Sequence, residues 1–223
     1  MDTNNRYNSV VIKVAYLGIM LSLVILFNYL ANFISIVGFL KLDLSSIFII
    51  ISFLYISKQG AIYLLFIRFA IGPSYSQLGY ELASILGHFI LFCTTLFFIL
   101  FLYLFMFILK KNKLNYLTKQ IIIYLICIVI CSFLMFILNS LLFVPLYLYI
   151  FKAIDTPCFH ELVKKWTDSK FNSLTFGINN YWFGMFILYI FFNFLSFGTN
   201  SVGCLLLEIT FKKTKIITPN LFN

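Results

Sequence analysis

Leu44-Ser45-Ser46-Ile47-Phe48-Ile49-Ile50-Ile51-Ser52-Phe53-Leu54-Tyr55-Ile56 is an apolar run that stops at the polar knot Ser57-Lys58-Gln59-Gly60. A second run follows, Ala61-Ile62-Tyr63-Leu64-Leu65-Phe66-Ile67-Arg68-Phe69-Ala70-Ile71, and halts at Gly72-Pro73. At about 1.5 Å per helical residue, neither run crosses a ~30 Å hydrocarbon core alone. They are either one interrupted span or two short helices, and charge decides between them. With two helices, both chain ends share a side with the basic loop Lys110, Lys111, Lys113, Lys119. That side then gathers Arg6, Lys13, Lys58, that loop, Lys212, Lys213 and Lys215. Lys41, Lys152, Lys164, Lys165 and Lys170 fall opposite, diluted by Asp43, Asp155, Glu161 and Asp168. One merged helix would put the Lys110–Lys119 cluster outside, against the bias of membrane proteins toward basic cytoplasmic loops. The short helices need shielding by protein or a cavity to line, which places a pocket near them.

Outward from this pair, apolar runs cover 10–33, 79–109, 120–150 and 181–211. The expectation is a single all-α integral membrane domain over 1–223, with six transmembrane helices at about 10–33, 44–56, 61–71, 79–109, 120–150 and 181–211, N-in and C-in. Composition agrees. Of 223 residues, 62% are hydrophobic and 10% charged, with a mean hydropathy of +1.02. A soluble domain needs more polar surface than that. The first run is too long for a signal-peptide core and lacks a small-residue cleavage site, so it reads as a retained helix. The net charge of +9 has its cause in the cytoplasmic loops, and with no basic stripe elsewhere nucleic acid is not expected as a partner.

Catalytic signatures are missing. There is no Walker A sequence, no His-Glu-x-x-His and no Gly-x-Ser-x-Gly, so neither ATP hydrolysis nor hydrolase chemistry is expected. Cys93, Cys127, Cys131, Cys158 and Cys204 have no metal spacing and read as small fillers. His88 reads as a packed residue and His160, beside Glu161, as solvated. Asn139 and Asn193 lie deep in the fifth and sixth spans, where an unpartnered amide is costly. They either face a cavity and read a ligand edge or join helices as interhelical glue. Asn28 and Asn32 fit the second role better. Arg68 and Glu81 lie close to the outer face, either paired or reaching the interface. Ala15, Gly18 and Ser22 make a small-residue strip on one face of the first helix, allowing close approach by another helix.

Several of these segments resemble a known family. The six-helix plan with very short second and third helices is similar to S components of energy-coupling-factor transporters, the substrate-binding membrane subunits of vitamin importers. Phe39-Leu40-Lys41-Leu42-Asp43-Leu44-Ser45 resembles the loop entering helix two of riboflavin-specific members. Gly79-Tyr80-Glu81, Leu138-Asn139 followed by Pro145-Leu146-Tyr147, and Phe192-Asn193 resemble the same subfamily. Those members carry Lys three residues after the last Asn, where this chain has Ser196. The resemblance implies no catalysis and no cofactor, with riboflavin as transported ligand. Leu40, Lys41, Asp43, Gly79, Glu81, Asn139, Asn193 and Ser196 are the implied substrate contacts. Ala15, Gly18 and Ser22 are the implied contact to a membrane T component, which carries two cytoplasmic ATPases. The implied location is the cell membrane, multi-pass. Another water-soluble vitamin such as folate, or a membrane protein with no small-molecule role, are the alternatives.

Overall fold

In the computed structural model, which describes residues 3–36 and 40–214, the chain is helical apart from one small ladder. Val37, Gly38, Phe39 and Lys215 lie outside the described residues. Helix α1 runs Thr3–Leu30, followed by a tight turn over Ala31–Phe33. Strands β1 (Ser35–Ile36) and β2 (Leu40–Lys41) pair antiparallel, Ser35 opposite Lys41 and Ile36 opposite Leu40. Helix α2 (Ser45–Ile51) ends in a π-helical turn, Ser52–Ile56, and α3 spans Lys58–Ile71. The remaining elements are α4 (Leu82–Ile108), α5 (Tyr116–Leu138), α6 (Val144–Ile150), the short α7 (Phe159–Lys165) and α8 (Ser169–Asn172), and α9 (Tyr181–Thr214).

Local chemistry fixes these boundaries. Asp43 Oδ1 accepts the Ser45 amide at 2.7 Å, satisfying a donor at the start of α2. Ser57 breaks the chain between α2 and α3 with an extended backbone, and its hydroxyl accepts the Gly60 amide at 3.2 Å. The knot is therefore one linking residue plus the first turn of α3, and the two short runs fold as separate helices. Asn115 caps α5 the same way, accepting from Thr118 N at 2.8 Å. Between α5 and α6 a π-helical turn covers Asn139–Phe143, with Val144 N bonded to Asn139 O. The next amide in that pattern would serve Ser140 O, but Pro145 has none to give. The Tyr181 hydroxyl donates to Ser140 O instead, tying the start of α9 to the proline break.

α1, α4, the joined α5–α6 and α9 are four helices long and apolar enough to cross a membrane. Their outward faces carry exposed Ile19, Phe107, Leu125 and Phe191, as expected where lipid is the solvent. The chain is thus a helical membrane protein. α2 with its π-helical turn is about 18 Å long and lies against α1, α3 and α9, with Ile49, Ile50, Ile51 and Leu54 fully buried. A helix apolar on every side needs such an enclosure. Gly203 of α9 makes the close approach possible, since a Cβ there would fall 2.5 Å from Ile47 Cδ1.

A second, smaller core lies at the other end of α5–α6 and α9. The segment between α6 and α9 is not an open loop but a folded cap. Its Ile154, Leu162, Trp166 and Phe171 pack on Phe136, Tyr181, Met185 and Tyr189. Trp166 is buried and donates its indole N–H to Ile178 O at 3.0 Å.

Candidate functional site

A polar network crosses the middle of the bundle. Arg68 of α3 is 3% exposed, and its Nη1 lies 3.6 Å from Asp43 Oδ2. The guanidinium donates to Ser45 Oγ (3.1 Å), Ser46 Oγ (2.9 Å), Leu91 O (2.9 Å) and Thr95 Oγ1 (2.8 Å). Asp43 also accepts from Asn28 Nδ2 at 3.0 Å, and its carbonyl accepts from Asn200 Nδ2 at 3.2 Å. One ion pair thereby joins α1, the entry to α2, α3, α4 and α9. Arg68 sits ten residues after Lys58, about 15 Å along the helix. Arg68 pairs with Asp43, whereas Glu81 is exposed at the start of α4.

Beside this pair lies a cavity of about 20 Å³, lined by Asp43, Ser46, Thr94, Thr95, Ser196 and Asn200 together with the apolar Ile50, Leu91, Phe98 and Phe197. That is room for about one water. A pocket for a drug-sized molecule is on the order of 300 Å³ or more, well beyond this cavity.

The sequence-derived contacts divide by position. Asp43 is buried in the ion-pair network, and Ser196 lines the cavity. Lys41 is exposed and donates to Asn32 Oδ1 at 2.7 Å, so it braces the turn after α1. Leu40 packs against the cap core. Gly79 adopts φ +53, the left-handed region that favours glycine, in the turn before α4, with Glu81 two residues on. Asn139 is buried and donates to Met135 O of its own helix at 2.7 Å. Asn193 is 4% exposed, and its Nδ2 has no hydrogen-bond partner. The two asparagines are not side by side. Tyr181 meets Ser140, Phe186 packs edge-on against Phe136, and Glu208 accepts from Tyr124. This antiparallel register separates Asn139 from Asn193 by roughly 10–15 Å along the helices. Ala15, Gly18 and Ser22 face outward, and a Cβ at Gly18 would meet nothing within 4 Å. His88 packs against Gly72, and His160 lies in the cap beside Phe159.

Two features escape the sequence reading. Glu208, 2% exposed on α9, accepts from Tyr124 at 2.6 Å and from Tyr116 at 2.8 Å. Tyr55 of α2 meets the Tyr116 hydroxyl at 3.0 Å, and Gln120 Nε2 lies 3.2 Å from it. Among the described residues no cation forms a salt bridge with Glu208. Its sequence signal is plain, for it is the only charged residue between Tyr181 and Phe211. This cluster joins α2, α5 and α9 at the end that carries Lys58 over Tyr103 (4.4 Å) and Lys212 over Tyr116 (4.8 Å). The second feature is a clasp in the cap. Glu161 accepts from Asp155 N (3.2 Å), Thr156 N (2.9 Å) and Lys165 Nζ (2.6 Å), and Lys165 also reaches Asp155 at 3.2 Å. The bond from Lys165, helped by those from Thr156 and Asp155, lowers the Glu161 carboxyl to about 2.

No family model matches the chain, and no solved structure matches it. The chain is similar to an uncharacterized protein of Mycoplasma pneumoniae, the MG350.1 homolog, at 29% identity over 193 residues, covering 83% of this chain and 80% of that protein. It is also similar to uncharacterized protein MG350.1 of Mycoplasma genitalium, at 44% identity over 55 residues. That match covers 24% of this chain and only 25% of the relative's length.

Proposed function

We propose that this chain is the S component of an energy-coupling-factor vitamin transporter. In this reading it is a multi-pass protein of the cell membrane with six transmembrane helices, both ends inside. It captures riboflavin from outside and delivers it inward with a membrane T component and two cytoplasmic ATPases. The chain performs no chemistry of its own. The observation that carries the reading is the short pair α2 and α3. Each is too short to span alone, and α2 is enclosed by the bundle beside a small cavity, with Asn139 and Asn193 buried further along α5 and α9. Asn193 supports it further, because its Nδ2 is a donor without a protein acceptor. An unsatisfied buried donor costs about 1–3 kcal/mol unless something else accepts from it. The outward strip Ala15, Gly18, Ser22 is the face offered to the T component.

The test is a pair of variants. Asn139→Leu and Asn193→Leu are purified, checked for thermal unfolding like that of the parent, and titrated with riboflavin. Loss of binding by a folded Asn193→Leu protein is the expected result. Folded variants that bind as the parent does would assign the asparagines to helix packing and remove the polar contacts from the proposal.

A further inference from the structure

The Glu208 cluster has no part in the vitamin-binding reading. Tyr116, Gln120 and Tyr124 stand at spacings of four on α5, so they share one helical face. Glu208 of α9 accepts from the first at 2.8 Å and from the third at 2.6 Å. Gln120 therefore lies opposite the carboxylate, about 6 Å along α5 from each tyrosine. It is fully buried. Its amide is held in one orientation. Tyr116 gives its proton to Glu208, so toward Gln120 it can only accept, and the NH2 group must be the end that lies 3.2 Å away. Oε1 is thereby fixed as the other end, and that oxygen has no hydrogen-bond partner. A buried carboxylate and a buried amide oxygen thus meet on one face with no donor for the second.

Charge decides what belongs between them. The 2.6 Å bond from Tyr124 has the length of an O–H···O⁻ contact, and each carboxylate oxygen takes a tyrosine proton, as an ionised Glu208 would. A carboxylate 2% exposed and without a counter-charge is strongly unfavourable. Lys212, one turn on, lies over the Tyr116 ring at 4.8 Å, and Lys119 Nζ reaches Lys110 O at 3.4 Å. Among the described residues neither forms a salt bridge with Glu208. Oxygen ligands suit a hard cation. One carboxylate balances one positive charge, so a divalent ion would bring an unbalanced charge into the bundle. The Cys204 thiol, one turn earlier on α9, is turned to Ile47 O at 3.9 Å, which gives a soft metal no thiolate.

We propose that Glu208 and Gln120 Oε1 bind a monovalent alkali cation. The ion ties α9 to α5 and, through the hydrogen bond between Tyr116 and Tyr55, to α2. The site lies one turn from Lys212, near the end of α9, within reach of aqueous ions. It is separate from the vitamin-binding reading and stands without it.

The experiment is reversible unfolding of the full chain in non-ionic mixed micelles, with NaCl raised from ~1 to ~100 mM and N-methyl-D-glucamine chloride holding the ionic strength constant. For a dissociation constant of about 10 mM, the folded-to-unfolded ratio of the parent should rise about tenfold across that range. Glu208→Gln, isosteric and neutral, should show no sodium response. Gln120→Leu keeps the carboxylate, should move the response to about tenfold higher NaCl, and serves if Glu208→Gln does not fold. A parent indifferent to the exchange of sodium for the organic cation overturns the proposal. So does a sodium response that persists in Glu208→Gln or is unmoved in Gln120→Leu, since the ion then binds elsewhere. A parent that ignores sodium but loses a pH dependence of stability on Glu208→Gln would place a proton on the carboxyl and overturn it as well. Each of these outcomes leaves riboflavin binding to be decided by its own titration.

Discussion

Removing the charge from Arg68 should show what holds the bundle together. Arg68→Leu deletes four hydrogen bonds of 2.8–3.1 Å and leaves Asp43, itself 3% exposed, without its counter-charge. Breaking one side of a buried pair costs about 3–5 kcal/mol. Asp43→Asn keeps an acceptor for the Ser45 amide but leaves the guanidinium uncompensated, so a loss of similar size is expected. The double variant buries no charge at all. Its destabilisation should therefore fall short of the sum of the singles by about 2 kcal/mol or more. Neutral hydrogen bonds between membrane helices average only about 0.6 kcal/mol, so a coupling of that size is separable from ordinary helix contact. The assay is reversible unfolding in mixed micelles, followed by tryptophan fluorescence, on the parent, both singles and the double. Single losses that add to within about 0.5 kcal/mol would refute a coupled pair.

Tyr124→Phe removes a donor from the buried Glu208 carboxylate and should cost about 1.5–3 kcal/mol in the same unfolding assay, against little change for the lipid-facing Tyr63→Phe. The Glu161 clasp makes the cap sensitive to acid. A carboxyl lowered in the fold contributes above its unfolded value of about 4.3 and loses that contribution as pH falls toward about 2. Hydrogen exchange at the Asp155 and Thr156 amides should accelerate across that window in the parent and show no such pH step in Glu161→Gln. Gly18→Trp meets no neighbour in the fold, so unfolding should shift by less than about 0.5 kcal/mol. Assembly with a T component, measured by co-purification, should nonetheless be lost.

The helices were legible because apolar length is a local property. The long runs fold over Leu82–Ile108, Tyr116–Ile150 and Tyr181–Thr214, and the two short runs fold as separate helices around Ser57. The start of α3 differs by three residues because Ser57 caps a helix that takes in the Lys58-Gln59-Gly60 knot. The cap between α6 and α9 reads as a polar loop for an equally physical reason. Its core residues, Leu162, Trp166 and Phe171, follow no long periodic pattern and become a core only against α5 and α9. Pairings across the bundle were the least legible. Arg68 and Asp43 stand 25 residues apart, and nothing local says that the turn into α2 dips to the depth of α3. Glu208 carried a visible signal as a lone acid in a span, but its tyrosine partners Tyr116 and Tyr124 come from α5, whose register against α9 the sequence does not state.

The most direct measurement is an absorbance and fluorescence spectrum of the detergent-purified protein, followed by riboflavin titration. The expected result is a co-purified flavin band, or stoichiometric quenching of riboflavin fluorescence at nanomolar ligand. A folded protein that carries no flavin and quenches none would contradict the riboflavin assignment and send the search to other vitamins.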